Sequence, residues 1–471
     1  MRQRDVRRIN IIFICGLLLA ALGGCQGGST AAPSLMPVLD LQTASPTATM
    51  LPEELRLTPG ELEGLELALW APWLDERGDQ LGFLVDDFNW SNNYGIQVNL
   101  TIWGGDTALL DAVAGTVALP DVFIAPPEEA FRLQEAGLPL LALEEYLTSS
   151  QWGYTTAEYA DRIEAVWQSG QSGGIQYGMP AGTDAQFLFY NLTWGLELGF
   201  NAPPKTRADF LLQSCKAQKA NLEDGNRENN GTGGWLIASD SASLLAWLSA
   251  SDFPMTAGAP FTFDLPETRS VLDYLKNLEL RDCAWLGKAA TPFEYLTKRY
   301  ALMVSGSLAK IASQRAAFAR AGSTDQWVLI PYRRQSDESP TLVTGSSYFV
   351  VPSDASHQMA AWVFLRWMDE PLQQMRMLQA GGGWPSRQTA ADASVAGLES
   401  DLIYSYAVNA MRNLSPAPHE AGWSIARRLF EDAGWQLFQP ETRADQIPGL
   451  LAELDETILE ILAMEGELWR K

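Results

Sequence analysis

GIQYGMPAGTDAQFLFYN, Gly174–Asn191, decides how the rest of this chain is read. A strand-like opening passes into a Gly-Met-Pro turn, a single acid follows at Asp184, and the apolar run Phe187–Tyr190 closes the stretch. A turn flanked by buried-looking segments predicts that the chain here leaves one lobe and crosses to a second. The same reading leaves the Asp184 carboxylate in the cleft between them. Two further Gly-rich stretches look alike, Thr344–Tyr348 at the start of TGSSYFVVP and Gly381–Pro385, GGGWP. A single crossing would be a linker, whereas several make a hinge with a defined axis.

Length and composition agree. A chain of 471 residues is too long for one ordinary core, so two domains are expected. Hydrophobic residues at 46% and charged residues at 19% fit a well-buried globular protein. Tryptophan is abundant, with 17 copies; most should be core, and some should hold flat ligands. The net charge of −24 repels phosphate backbones and anionic headgroups, which argues against nucleic acid and against membrane binding through a basic face. Only His357 and His419 are present, which weakens any imidazole base, Ser–His pair or His-rich metal site. No catalytic residue, metal or cofactor is expected.

The N-terminus reads as an export signal. Arg2, Arg4, Arg7 and Arg8 precede the apolar run Ile11–Leu22, which is too short to span a bilayer comfortably. Leu22-Gly23-Gly24-Cys25 then resembles the bacterial lipobox. That resemblance implies cleavage after residue 24 and lipidation of Cys25 on the extracytoplasmic face of the membrane; the alternative is a plain signal peptide with a chance cysteine. Residues 25–59 are rich in Ser, Thr, Ala, Pro and Gly and read as a flexible spacer. Outside the reducing cytoplasm, Cys215 and Cys283 are free to pair, closing a long loop with about 4 kcal/mol of stabilisation. Two buried free thiols are the other reading.

Between residues 65 and 137 strands alternate with helices. Leu65–Trp70, Ile96–Trp103 and Val122–Ala125 read as strands, and Leu81–Phe88, Asp106–Ala118 and Glu128–Ala136 as helices. This predicts a mostly parallel α/β sheet, with ligands beyond the carboxyl ends of its strands. The segments from Trp70 to Asp75, Trp103 to Asp106 and Pro126 to Glu129 therefore share a rim, making Trp70, Asp75, Trp103 and Glu128 candidates. Further on, strands are expected at Trp235–Ile237, Tyr300–Val304 and Trp327–Pro331, a buried helix at Ser356–Met368, and a helical tail over Leu402–Leu462.

In order, the Trp-ended first strand, Pro120-Asp121 before the third, Tyr177-Gly178-Met179-Pro180 with Phe189-Tyr190-Asn191, and Pro203-Pro204-Lys205-Thr206 lead to the Tyr300–Gly306 strand. Gly345-Ser346-Ser347-Tyr348 before an Ala-Trp-x-Phe-Leu helix and Gly382–Arg387 complete the series. The whole resembles the bacterial extracellular solute-binding proteins of carbohydrate importers, the maltose- and oligosaccharide-binding cluster most of all. The resemblance implies a two-lobe periplasmic-binding-protein fold of the class II type. Residues 60–178 with 345–382 would form the first lobe, and 179–344 with 383–471 the second. It implies an ABC permease as partner, a sugar as ligand and a monomer. By position it points to Asp184, Trp384, Trp70, Trp103 and Trp235 as ligand contacts, joined by Ser305, Tyr348 and Arg387 from the matching motifs. Ser307-Leu308 stands where the family often has an aromatic, so one stacking wall is expected to be missing. Two rivals stand beside it: a binding lipoprotein for glycerol phosphate, a polyol or a sensor, and a secreted glycoside hydrolase using paired carboxylates.

Overall fold

The structure, a computed structural model, describes residues 59–468 apart from 117, 256–260, 288–291, 334–338, 354–356, 382 and 397–400. The export signal, Cys25 and the spacer as far as residue 58 lie outside the described residues.

A ten-stranded sheet runs through the molecule. Its strands are β1 (Glu66–Ala71), β2 (Gln97–Ile102), β3 (Val122–Ala125), β4 (Gly178–Asn191), β5 (Trp235–Leu236), β6 (Ala284–Trp285), β7 (Met303–Ser307), β8 (Trp327–Ile330), β9 (Thr341–Val350) and β10 (Leu414–Pro416). Hydrogen bonding follows the order β2-β1-β3-β9-β4-β7-β5-β6, with β8 added beside β4 and β10 beside β9. β1 pairs in parallel with β2 and β3, and helices α1 (Glu76–Ser91) and α2 (Asp106–Gly115) make the crossovers. Helix α3 (Pro127–Glu135) follows β3. The sequence dictates this arrangement locally. Leu67, Leu69 and Ala71 alternate inward along β1, while Leu81, Leu84, Val85 and Phe88 recur at helical spacing on α1.

β4 is the centre of the fold. Its first part, Gly178–Ala185, pairs antiparallel with β9. From Gln186 onward its partners are β7 and, from Leu188, β8. The change of partner coincides with a change of core. Met179 and Ala181 pack with the first-lobe residues around Phe88 and Trp362. Leu188 and Tyr190 join the second-lobe cluster around Trp247, and Ala185, Phe187 and Phe189 join another on the opposite face. One strand thus belongs to both lobes.

Gly178-Met179-Pro180, expected to turn, is strand instead. Pro180 stands opposite Tyr348 and forfeits only its missing N–H. Gly178 is there because a Cβ would come within 2.9 Å of the Tyr348 Cβ. β9 carries the irregularity: its register slips between Thr344 and Ser347, where Gly345 takes φ of 60°. At the third Gly-rich stretch, Gly383 bridges Thr183 of β4, and a Cβ there would lie 1.7 Å from the Thr183 carbonyl oxygen. The tail also differs from the continuous helix expected. Pro416 and Pro418 break it, so Leu414–Pro416 forms β10 in parallel with the start of β9. Only then does the next helix begin. Helices α4 (Arg207–Glu223), α5 (Gln358–Met368), α6 (Pro371–Gln379) and α7 (Trp423–Leu437) cover the sheet.

A buried polar knot fixes the segment that follows Gly383. Arg387, 4% exposed at its side chain, places Nε 3.2 Å from Asp161. The same guanidinium lies 3.8 Å from Glu158 and 3.9 Å from Asp369. Asp369, between α5 and α6, accepts from the Tyr154 hydroxyl at 2.6 Å, the Ser386 hydroxyl at 2.8 Å and the Gln374 amide at 2.6 Å. Burial pushes its carboxyl up to about 6, against the pull of these donors and of Arg387. In the second lobe, Cys215 on α4 and Cys283 ahead of β6 form a disulfide across 68 residues, clamping two very short strands to a long helix.

Replacing Cys215 and Cys283 together by alanine is expected to remove about 4 kcal/mol of unfolding free energy in urea titrations, the loop-entropy value for a ring this long. Arg387→Met should cost about 3 kcal/mol at pH 8, because it strands the buried Asp369 carboxylate. That loss should shrink as pH falls through about 6, where Asp369 takes up a proton and needs no cation. A loss that stays constant from pH 8 to pH 5 would contradict the knot as described.

Candidate functional site

Three strand-end loops converge on one cleft. Pro72–Asp75 leaves β1, Gly104–Asp106 leaves β2 and Pro126–Glu128 leaves β3, and all three line a cavity of about 620 Å³. Asp184 and Gln186 of β4, and Val343–Gly345 and Ser347 of β9, form its floor. Ala242 and Leu245 of the helix Ser241–Ser249, together with Ala417–His419, Trp423 and Arg427, form the opposite wall. The cleft therefore sits beyond the carboxyl ends of parallel strands, where the strand order changes hands, the usual place for ligands in open α/β sheets.

Each acid in it has a distinct setting. Asp75 caps the start of α1, accepting from the Arg77 amide, and its carboxylate is gripped by the Arg77 guanidinium at 2.7 and 3.0 Å. That hydrogen bonding holds its carboxyl below the ordinary range. Arg77 in turn lies 5.3 Å from the centre of the Trp73 ring, which stiffens the β1 loop. Asp184 accepts from its neighbour's amide, Ala185 N–H at 2.8 Å, and from Ala309 N–H at 3.1 Å beyond the end of β7. Burial raises its carboxyl, while those donors and the Ser307 hydroxyl pull it back. Ser307, where an aromatic was missed, thus supports the cleft acid instead of a ligand ring.

Asp106 opens α2 and Glu128 lies in the first turn of α3. Burial raises both, Glu128 to about 7, with Glu129 adding repulsion and Arg427 opposing it. The cleft wall is apolar around these groups, through Pro126, Pro127, Leu245 and Trp423. Among the described residues no group of three or more His, Cys, Asp or Glu could hold a metal ion.

Of the residues chosen from sequence, Asp184, Asp75 and Glu128 line the cleft. The others have different surroundings. Trp70 and Trp103 pack on each other, ring centres 4.8 Å apart, against the cluster of Leu109 and Phe131. Trp70 precedes the last residue of β1, so the pleat turns it to the face opposite Leu69 and Ala71. Trp235 is wholly buried among Phe210 and Trp247, its indole N–H reaching the Ser305 hydroxyl at 3.3 Å. Trp384 is held by a 2.6 Å hydrogen bond from its amide to the Thr183 carbonyl and packs into the cluster of Phe187 and Phe189. Tyr348 is buried, its hydroxyl donating to the Val166 carbonyl. Arg387 belongs to the knot under the third stretch.

Sequence reasoning passed over Trp73, Trp423, His419 and Arg427, all in the lining. Trp73 was visible beside Asp75 in the β1 loop. Trp423 and Arg427 are one helical turn apart just after the Pro416-Ala417-Pro418 break, a signal hidden by reading the tail as continuous helix.

The family profile of the bacterial extracellular solute-binding proteins matches residues 84–401. No curated protein matches the sequence. Among solved structures, the sugar-binding protein MalE of the phytopathogen Xanthomonas citri superposes with a TM-score of 0.72 at 18% identity, covering 86% of this chain and 99% of its own. The cyclic α-maltosyl-1,6-maltose binding protein of Arthrobacter globiformis gives 0.69 at 18% identity, covering 84% and 99%. UgpB of Mycobacterium tuberculosis, in complex with glycerophosphocholine, gives 0.68 at 15% identity, again covering 84% and 99%. These likenesses confirm the two-lobe α/β fold expected from sequence. With a strand-end cleft between its lobes and a profile match spanning most of its length, this chain belongs to the bacterial extracellular solute-binding protein family.

Proposed function

We propose that the protein captures a carbohydrate in the cleft of Trp73, Asp184 and Trp423 and presents it to the membrane subunits of an ABC importer. One observation carries this reading: the cleft sets two tryptophans, both largely buried, beside a small set of carboxylates and guanidiniums. Sugars offer weakly apolar C–H faces and polar edges, and such a lining suits both. Unpaired buried hydroxyls cost roughly 1–3 kcal/mol each, so the polar groups decide which sugar fits.

The lobe boundaries follow from the same reading, with β4, β9 and the stretch after Gly381 as the crossings. The anchor is proposed at Cys25, through the lipobox that Leu22–Cys25 resembles. No described helix is long and apolar enough to cross a membrane. A phosphate-bearing solute, the class seen with the Mycobacterium tuberculosis protein, is the second reading, and Arg427 is the group that favours it.

Trp73→Leu and Asp184→Asn are each expected to weaken sugar binding about tenfold or more by calorimetry, a loss of ~1.4 kcal/mol or above. Arg387→Met, outside the cleft, should leave the affinity of the folded protein unchanged while lowering its stability. Unaltered affinity in both cleft variants would remove the site from consideration. Cys25→Ala should shift the protein from the membrane fraction to the soluble extracytoplasmic fraction; continued membrane retention would exclude the anchor.

A further inference from the structure

The charges lining the cleft do not balance. Four carboxylates, Asp75, Asp106, Glu128 and Asp184, face two guanidiniums, Arg77 and Arg427. Two of the acids are satisfied within the protein, Asp75 by Arg77 and Asp184 by two backbone amides. Asp106 is not, and Glu128 has only its own backbone amide. Among the described residues, no cation makes an ion pair with either. They stand at the starts of neighbouring helices, α2 and α3, on the loops that leave β2 and β3.

Charged and titratable groups face them from several elements, His419 of the Ala417–His419 wall among them. From α3 comes Glu129, tied to Arg132 at 2.8 Å. From the first turn of α1 comes Arg77, already engaged with Asp75 and felt by Asp106. From α7 comes Arg427, felt by both acids without touching either, its Nε buried and lacking a hydrogen-bond partner among the described residues. One guanidinium across the cleft is too little for two carboxylates, Glu128 half-buried and Asp106 at the solvent edge.

We propose that the cleft selects a saccharide carrying a positive charge, an amino sugar, whose ammonium group sits between Asp106 and Glu128 while its rings lie against Trp73 and Trp423. The inference rests on the saccharide reading above and specifies it. An ammonium placed there supplies the missing cation and donates to both carboxylates as charge-assisted hydrogen bonds. A hydroxyl supplies a donor and leaves the excess charge in place. A phosphate meets two negative charges in excess, which sets this ligand class against the phosphate-bearing alternative.

A consequence for pH follows from the same geometry. Free, the Glu128 carboxyl is raised to about 7 by burial, so near neutrality it is partly protonated. A bound ammonium holds it ionised, so binding expels a proton and tightens as pH rises from 5.5 to 7.5. Arg427 moderates the slope, and Asp106 and Glu129 steepen it.

The test is calorimetry on the full chain with a panel of mono- and disaccharides, each prepared as free amine, as the permanently charged N-trimethyl form and as the neutral N-acetyl form. The free amine is expected to bind about tenfold or more tightly than the N-acetyl form at pH 7.5, and the N-trimethyl form, which keeps the charge but has no N–H to donate, to fall between them. The advantage should diminish at pH 5.5, and the N-trimethyl form should release protons that register as buffer-dependent heat. Glu128→Gln should abolish both the pH slope and the proton release; Asp106→Asn, which keeps Glu128, should reduce the preference for charge and serves if the first variant does not fold. Equal affinity for charged and N-acetyl forms with no pH slope overturns the charge selection and leaves the saccharide reading intact. Failure of every form to bind, with tight binding of glycerol phosphate, overturns both.

Discussion

Backbone hydrogen bonding along β4 is the constraint on which the rest of the molecule depends. Every buried N–H and C=O in a strand must find a partner. β4 meets that demand with β9 over its first eight residues, and with β7 and β8 over the remainder. The lobes therefore cannot part without breaking a continuous ladder. They can only bend where the ladder changes hands, at Asp184–Gln186, opposite the slipped register of β9 around Gly345. Gly383, packed against the Thr183 carbonyl with no room for a side chain, ties the third stretch to the same point. The cleft acid Asp184 is thus set on the strand residue next to the one that carries the third tie. Thr183 and Asp184 alternate in the pleat, so one serves the hinge and the other the cavity.

This explains what sequence made plain and what it hid. Alternation and helical spacing located β1, β2, β3, α1, α2 and α3 within a few residues, because each is a self-contained amphipathic pattern whose buried face is chosen locally. The topology of the first lobe followed from their order. What sequence hid depends on partners far away. Gly178–Pro180 reads as a turn, since glycine and proline favour turns, yet Tyr348 from β9 needs the space that a Cβ would fill. β10 is three residues long and exists because β9 offers an open edge beside it. No periodicity can show so short an element.

The candidate site shows the same division. The three strand-end loops were legible because the strands were, and with them came Asp75 and Glu128. Tryptophan was a poor guide. Its size marks it for a core or a ligand alike, and only the direction of its Cβ separates the two. Trp235 and Trp423 are both buried, but Trp423 belongs to the second-lobe core and the cleft wall together. Charge gave more than shape. Asp184 and Glu128 were candidates from their positions, and burial opposing their ionisation is what separates them from solvated acids.

That opposition also bears on how capture is coupled to closure. A ligand that contacts both conformations equally shifts nothing, so the contacts that matter are those that exist when the walls meet. The stretch from Ala417 to Arg427 is where they meet. Ala421 packs with first-lobe residues around Phe131, whereas Trp423, Ala426 and Phe430 pack in the second-lobe core. Arg427 hangs from this junction toward Asp106 and Glu128 without pairing with them. Direct salt bridges across the gap would close the empty protein and reward no ligand. Leaving the acids short of cations keeps the closed arrangement incomplete until a solute supplies donors from within. The unfavourable burial of the Glu128 carboxylate is then no defect of the fold: it reserves part of the stabilisation of closure for the ligand.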